Sequence, residues 1–494
     1  MQLTASFNFY RRPGNEEVYD WLVEACTVAK NLYNQTLYYA YEFKEAYDPV
    51  REQYKKETGK SFPWFPDEYV GFEKPVDDFF KVMSLRRYAS EQDENGEYYT
   101  KNLEGKSNWE LLKNLVGRDA TTEVIRTLLS KNLKSYGRSL GDWSRHPEKY
   151  KGMPRKPGFY KKGDLCPLYF SGTSIKINSK TRSLVFPKPR GTDGYNKSIY
   201  IPLQKLPHNS EYVKGKRIDQ VRIIPKKGYF KIEIIYTYNE SVPKLDNKRY
   251  LSIDLGIRNF CTIITSDDKL NPVILDGNAL KSKIRFYHLM VDKLKHKIEV
   301  ITDENGKKRP KQYTTKRIEA MTKNHINRIN YIVDAYTKYI VRYCLHYNIC
   351  RVICGWNKDM KQKINTGHKN NQIIVNFPFK KLLDKLEYKC KMRGISFEIV
   401  EESYTSKTDH LRNAPLATKE DPETRDEANF GKRIHRGLFS SGVGKLVNAD
   451  VNGAMGIMRK AIPDFSWVGY HPFHPVRMRV KDVIEGLKYS KFPK

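Results

Sequence analysis

Acidic residues are what this 494-residue chain most conspicuously lacks: 57 Asp and Glu stand against 89 Lys and Arg, a formal net charge of +32. Such an excess calls for a polyanionic partner, and nucleic acid leads the candidates. An AT-rich coding bias would add lysines, yet it leaves unexplained why acids fail to balance them. Long apolar runs are also missing. No stretch approaches the ~18 residues a membrane span needs, and the mean hydropathy is −0.69, which excludes a transmembrane protein. No basic segment followed by an apolar one opens the sequence, so secretion is not expected and a cytoplasmic location is. Cysteine is sparse. Its seven copies are scattered and odd in number, which reads as reduced thiols rather than a disulfide framework. Cys350 and Cys354 form the only close set, and the strand-like RVI between them marks same-face core positions rather than a metal site. No cysteine occurs from 391 to 494, and no repeat or low-complexity tract stands out. What is present is ample chain for roughly two to four domains. Its aromatic content of 13% argues against disorder.

The patterning suggests a multidomain α+β protein. Residues 1–10 alternate like a strand. Residues 16–46 place Val18, Trp21, Leu22, Ala25, Ala29, Leu32 and Tyr33 at helical spacing. Residues 89–108 are polar and read as a loop. Residues 109–143 return to helix through Leu111, Leu112, Leu115, Val124, Leu128, Leu129 and Leu133. A Pro/Gly/Lys break at 147–164 marks a boundary. Short β-like runs follow at 174–178, 183–186, 198–203, 221–224 and 230–238, with lysine-rich loops between them. From 246 the order is a hairpin (249–255 and 260–266), a strand (272–277) and a basic run. That run, 281–320, holds 12 Lys and Arg against 5 Asp and Glu. An amphipathic helix comes next, carrying Ile318, Ile326, Ile329, Ile332, Val333, Tyr336, Ile340 and Cys344. Strand 351–356, helix 378–393, strand 395–402 and a helix near 448–460 complete the order β-β-β-α-β-α-β-α, that of an RNase H-like fold.

Phosphodiester hydrolysis by two metal ions needs several carboxylates converging from separate elements. Mg²⁺ prefers hard oxygen ligands. Asp254 shares a strand face with Ser252 and Gly256, opposite Leu251, Ile253 and Leu255. An acid in a central strand is costly unless paired or metal-bound, and a glycine after it lets a backbone approach closely. The competing reading is an edge-strand salt bridge. Asp450 opens a small-residue helix with Gly453, Ala454 and Gly456, and its competing reading is a plain N-cap. Glu402 ends strand 395–402, with Glu401 on the opposite face as its rival. Both could equally be solvated strand-end acids.

Several segments together resemble the TnpB family of transposon-encoded RNA-guided nucleases and their miniature type V CRISPR effector descendants. They are NLYNQTLYYAYEF (31–43), KNLKSYGRSLGDWSRHPEKYKGMPRKPGFYKK (131–162), SIDLGIRNFCTI (252–263), NQIIVNFPFKKLLDKLEYKCKMRGISFEIVEESYTSK (371–407) and GKRIHRGLFSSGVGKLVNADVNGAMGI (431–457). The resemblance covers most of the chain in the family's order. It implies an RNA-guided, Mg²⁺-dependent DNA endonuclease with two metal ions, Mn²⁺ as a substitute, and a RuvC-type active site. Asp254, Glu402 and Asp450 match the three catalytic, metal-binding carboxylates. It also implies a division of the chain. Residues 1–14 would be the first strand of a wedge-like β-barrel, 15–150 a helical recognition lobe, and 151–245 the rest of the barrel. Residues 246–407 and 441–470 would form the RuvC nuclease domain, 408–440 a target-nucleic-acid-binding insert, and 471–494 a C-terminal tail. Guide RNA and target double-stranded DNA are the partners, with no membrane. The oligomeric state is left open, with a monomer slightly favoured.

Two departures accompany the resemblance. Where many members carry a glutamate, strand 351–356 has Gly355. A branch of the family instead places the acid three residues before a Thr-Ser, and Glu402 stands three before Thr405, which favours it over Glu401. The Cys-x-x-Cys pairs of the usual zinc ribbon are missing. His410 and His435 alone do not make a zinc site, so a metal-free remnant is expected. For nucleic acid, the helix residues Asn31, Tyr33, Asn34, Gln35 and Tyr38 offer amides for base edges and rings for stacking. Packing into the lobe's core is the competing reading for each. Lys151, Arg155 and Lys156 are candidates for phosphates, or for a solvated loop. Tyr404, Thr405, Ser406 and Lys407 after the strand, and Arg433 and Arg436 before Asp450, are placed to meet the cleaved strand. A nuclease-dead RNA-guided repressor is the main alternative. A cut-and-paste transposase and a plain RNase H are weaker ones.

Overall fold

The structure, a computed structural model, describes residues 2–58, 91–92, 98–99, 108–178, 180–187, 189, 198–203, 218–237, 245–302, 308–310, 312, 314–357, 367–402, 405, 408–416, 431–435, 437–470 and 475–493. The chain divides into two compact units, Met1–Asn239 and Glu240–Lys494.

In the first unit, Gln2–Phe9 alternates Leu3, Ala5, Phe7 and Phe9 into the core and pairs antiparallel with Tyr229–Thr237. Ile218–Lys226 and Leu168–Ser171 extend that sheet to four strands. Leu168–Ser171 lies outside the expected β runs. A separate three-stranded sheet joins Lys176–Asn178, Ser183–Val185 and Tyr200–Pro202. The described residues thus form two sheets where a single barrel was expected. The long helix Glu16–Thr58 buries Trp21, Leu22, Ala25, Cys26, Ala29, Leu32 and Leu37, a stripe at helical spacing. Trp21 donates to Leu115 O (3.2 Å) and its ring lies 5.5 Å from Phe186, so the long helix packs against both Asn108–Val116 and the end of the Ser183–Val185 strand. The helix expected over 109–143 is broken. Gly117 takes φ +86° between Asn108–Val116 and Arg118–Arg126, a conformation glycine reaches without strain. Beyond it, Thr127–Leu133 widens to a π turn before Lys134–Arg145.

The second unit is built on a six-stranded sheet. Its order is Ser396–Val400, Ile349–Gly355, Asp246–Asp254, Asn259–Thr265, Val273–Asp276, Val476–Met478. The first three run parallel, the middle hairpin is antiparallel, and Val476–Met478 lies parallel to Val273–Asp276 at the edge. The stretch set apart above as a C-terminal tail therefore completes the sheet. Each face has its own core. Leu251, Ile253 and Cys354 pack with Tyr336, Tyr339, Tyr343, Phe377 and Phe379 of the helices Lys316–His346 and Phe379–Met392 and the turn before the latter. Ile264 and Ile353 face Val451, Ala454, Met455 and Met458 of the helix Ala449–Ala461. The stripe read on Lys316–His346 is buried apart from Ile326, which is 46% exposed. Among the described residues, no helix is long and apolar enough to cross a membrane.

Candidate active site

Asp254 is the last residue of its strand, and Ser252 on the same face donates to Ala454 O (2.7 Å). That bond fixes the face toward the helix Ala449–Ala461. Gly453 makes the approach possible: a Cβ there would sit 2.9 Å from Asp254 Oδ2. Gly456 does the same one turn on, where a Cβ would lie 2.8 Å from Thr405 Cβ. The small residues of this helix are thus required by what they face. Asp254 is no edge-strand acid, because its strand has neighbours on both sides.

Asp450 does not cap its helix. Asn448 is the N-cap, and its Oδ1 accepts from the amides of Asp450 (3.0 Å) and Val451 (3.3 Å). The Asp450 carboxylate is left for other work. Its Oδ2 accepts from Asn259 Nδ2 (2.5 Å).

Glu402 lies two residues past the strand Ser396–Val400. Gly355 provides its space: a Cβ at 355 would lie 3.3 Å from Glu402 Cβ and overlap Ile457. Glu401 points elsewhere. It is exposed, and Lys460 donates to its carbonyl (3.1 Å) and reaches its Oε2 (3.4 Å). Glu402 Oε2 is buried without a hydrogen-bond partner.

The electrostatics tie the three together. Burial raises the Asp254 carboxyl well above the usual carboxylate range. The negative charges of Glu402 and Asp450 raise it further, while the Leu255 amide and Arg433 oppose them. Burial, then Glu401, pushes Glu402 up to about 7, and Lys460 opposes. These are hard oxygen donors drawn from three separate elements. One of them is orphaned and buried, and the set fits a divalent ion such as Mg²⁺. As they stand, no three His, Cys, Asp or Glu side chains among the described residues are grouped closely enough to hold a metal ion by themselves.

Beside it sits a buried polar knot. Asp409 accepts from Ser441 Oγ (2.7 Å) and the Gly442 amide (2.7 Å). His410 lies between Thr405 O (2.7 Å from Nε2) and the Arg459 guanidinium (3.1 Å from Nδ1). A guanidinium only donates. Nδ1 must therefore accept, and Nε2 carries the proton to Thr405 O. Both ring nitrogens are spent, and burial holds the imidazole down at about 4. His435 is exposed on the strand Lys432–His435.

The expected nucleic-acid contacts divide. Tyr33 is buried, and its hydroxyl accepts from Asn132 Nδ2 (3.1 Å). The Asn34 amide grips the Tyr160 backbone from both sides (2.9 and 2.8 Å), and Gln35 Oε1 accepts from Asn108 (2.9 Å). These three are turned inward: Asn34 pins the Pro/Gly/Lys segment at Tyr160, while Tyr33 and Gln35 bond Asn132 and Asn108 of the neighbouring helical segments. Thr405 is buried as well, closing the turn by donating to Glu402 O (2.8 Å). Asn31, Tyr38, Lys151, Arg155, Lys156 and Arg433 are exposed. Lys156 Nζ lies 4.7 Å from the Tyr41 ring centroid. Tyr404, Ser406, Lys407 and Arg436 lie outside the described residues. Asn259 was not singled out from sequence. The signal available was its place five residues after Asp254 in SIDLGIRN.

Residues 379–457 match the family model described as Cas12f1-like, TNB domain. That stretch holds Glu402, Asp450 and, apart from Arg459, the polar knot. No curated protein matches the sequence. Solved structures resemble the chain at low identity. One is a cryo-EM Cas12f1–sgRNA–target DNA complex, 15% identical, covering 90% of this chain and 83% of that one, with a TM-score of 0.49. Another is the mini-RNA-guided endonuclease CRISPR-Cas_phi3, 11% identical, covering 93% and 92%, with a TM-score of 0.38. A third is Alicyclobacillus acidoterrestris C2c1 in complex with single-guide RNA, 9% identical, covering 91% and 70%, with a TM-score of 0.38.

Proposed function

We propose that this protein is an RNA-guided DNA endonuclease of the miniature type V and TnpB kind, cutting target DNA beside a short flanking motif in a RuvC-type active site. The observation that carries the reading is the grouping of Asp254, Glu402 and Asp450 from three separate elements, with Asp254 made costly to ionise by burial and by the other two acids, and Glu402 by burial and by Glu401. Such an arrangement is expensive unless a cation answers it. The Cas12f1-like match over residues 379–457 supports it, as does the net charge of +32.

In this reading the three carboxylates would hold Mg²⁺. Bound there, divalent ions supply charge stabilisation at the phosphodiester and a nucleophile near neutral pH. The chain's own residues do the rest. The Asp254 strand and the Asn448-capped helix fix two acids on rigid elements. Gly453 and Gly355 remove the atoms that would block them. Arg433 moderates the negative charge. Exposed Lys151, Arg155 and Lys156 offer phosphate contacts in the first unit. A guide–target heteroduplex is held by backbone and shape, for which distributed positive charge suffices, and side chains need read only the flanking motif.

One observation favours a second reading, a nuclease-inactive RNA-guided repressor: the acids do not close into a metal cage among the described residues. A single experiment separates the two. The protein is purified with its own RNA, the RNA is sequenced, and matched DNA is added with Mg²⁺ or with EDTA. One defined RNA species, cleavage in Mg²⁺ alone, and an Asp254→Ala variant that binds without cutting are expected. Random cellular RNA would sink guidance, cutting by Asp254→Ala would sink the site, and binding without any cutting would establish the repressor.

A further inference from the structure

We propose that Arg477 and Asn259 form a positioning relay that aims Asp450, making the C-terminal strand part of the candidate active site. The inference rests on the reading of Asp450 as a metal ligand. The chain of contacts is short and each link is polar. Arg477 lies in Val476–Met478, opposite Ile274 of the neighbouring strand. Its Nη1 donates to Asp276 Oδ1 (2.8 Å) and its Nη2 to Asn259 Oδ1 (2.6 Å). Asn259 Nδ2 donates to Asp450 Oδ2 (2.5 Å).

The donor chemistry sets the direction. An amide can present either end, and its orientation follows from its partners. Arg477 has donors only, so the Asn259 oxygen must face it. The Asn259 NH₂ is then forced toward Asp450, whose Oδ2 accepts from it. Asp276 holds the guanidinium in turn. It is 7% exposed, and its two oxygens also take the Asn278 side chain (2.9 Å) and amide (3.1 Å). Asn259 is 8% exposed, so these bonds compete little with water. One oxygen of Asp450 is thereby fixed. This is how the outer partners of a metal site orient a ligand. A lysine at 477 would not span both Asp276 and Asn259, because its ammonium is a single point charge.

The test uses the full-length chain and Mn²⁺ binding followed by EPR, with DNA cleavage as a second readout. Asn259→Ala and Arg477→Ala are expected to weaken Mn²⁺ roughly tenfold. They should raise the half-saturating Mg²⁺ for cleavage by a similar factor, with the rate at saturating Mg²⁺ less affected. The double variant should be no weaker than Asn259→Ala alone, and Arg477→Lys should recover little. A wild-type Mn²⁺ isotherm in Asn259→Ala, additive losses in the double variant, or full rescue by Arg477→Lys would each overturn the relay. If Arg477→Ala fails to fold, Asn259→Ser carries the same test from the other end. A wild-type chain that binds Mn²⁺ with the relay effects but never cuts would refute the nuclease and keep the relay. A wild-type chain that binds no Mn²⁺ would refute both.

Discussion

Gly355 and Glu402 occupy one space between them: a Cβ added to Gly355 would stand 3.3 Å from Glu402 Cβ and collide with Ile457. The two belong to adjacent strands and their continuation, with Gly355 paired to Val400 and Trp356 N donating to Val400 O (2.9 Å). The strand that lacks an acid is thus the strand that makes room for one. Gly355→Ala should overpack this corner at about 1–3 kcal/mol. It should also reduce cleavage more than DNA binding, as measured by melting temperature and by parallel binding and cutting assays. Unchanged cutting would mean that Glu402 does not depend on this space.

Asp254 carries a cost that its substitution should relieve. Its folded carboxyl is raised by burial and two like charges, so its ionised form at pH 8 opposes folding. Asp254→Asn, neutral and of similar shape, should raise the melting temperature in EDTA while abolishing cleavage. A lower melting temperature would show that the acid is satisfied without metal.

Glu402 sets a pH window. Its value rises from 4.5 to about 7. The stability linked to its protonated form is full below about 4.5 and is lost as pH rises through about 7. Metal requires the ionised form, so the upward shift in melting temperature caused by Mn²⁺ should be larger at pH 8 than at pH 6. Glu402→Gln should flatten that difference. An equal shift at both pH values in the parent chain would remove Glu402 from the site.

His410 works in the opposite sense. Held at about 4 against an ordinary 6.5, it contributes stability that is full above 6.5 and lost as pH falls through 4. The melting-temperature gap between the parent and His410→Gln should shrink from pH 7.5 to pH 4.5. The companion change, Asp409→Ala, removes charged hydrogen bonds to Ser441 and Gly442. It should cost about 1.5–3 kcal/mol per bond at most, read by denaturant titration.

Charge in the first unit is testable by salt. Replacing Lys151, Arg155 and Lys156 together by Ala removes three candidate phosphate contacts. The slope of log K against log salt should flatten by about 2–3 for nucleic-acid binding. An unchanged slope would return these side chains to the role of a solvated loop.

The parts legible in the sequence are those whose physics is local. The alternation around Asp254 predicts its strand and its face. The helix expected over 378–393 falls within a residue of Phe379–Met392 at each end. The glycines after Asp450 predict close packing. Other features escape local reading. A single glycine at positive φ broke the helix expected over 109–143. Asn34 and Gln35 look like base readers in sequence, but whether an amide faces bases or a neighbouring backbone is settled by what folds against it.

By itself, then, the sequence determined the positive charge, the lack of zinc-type cysteine pairs, the order of elements and the three acids worth watching, because composition and periodicity act over a few residues. Only the tertiary structure decided that Asn448 rather than Asp450 caps the helix. It alone placed Glu402 rather than Glu401 against Gly355, and brought Arg477 back to Asn259 across 218 residues of chain. Those choices depend on which backbones pack together, and a three-residue strand such as Val476–Met478 is too short to announce its partner.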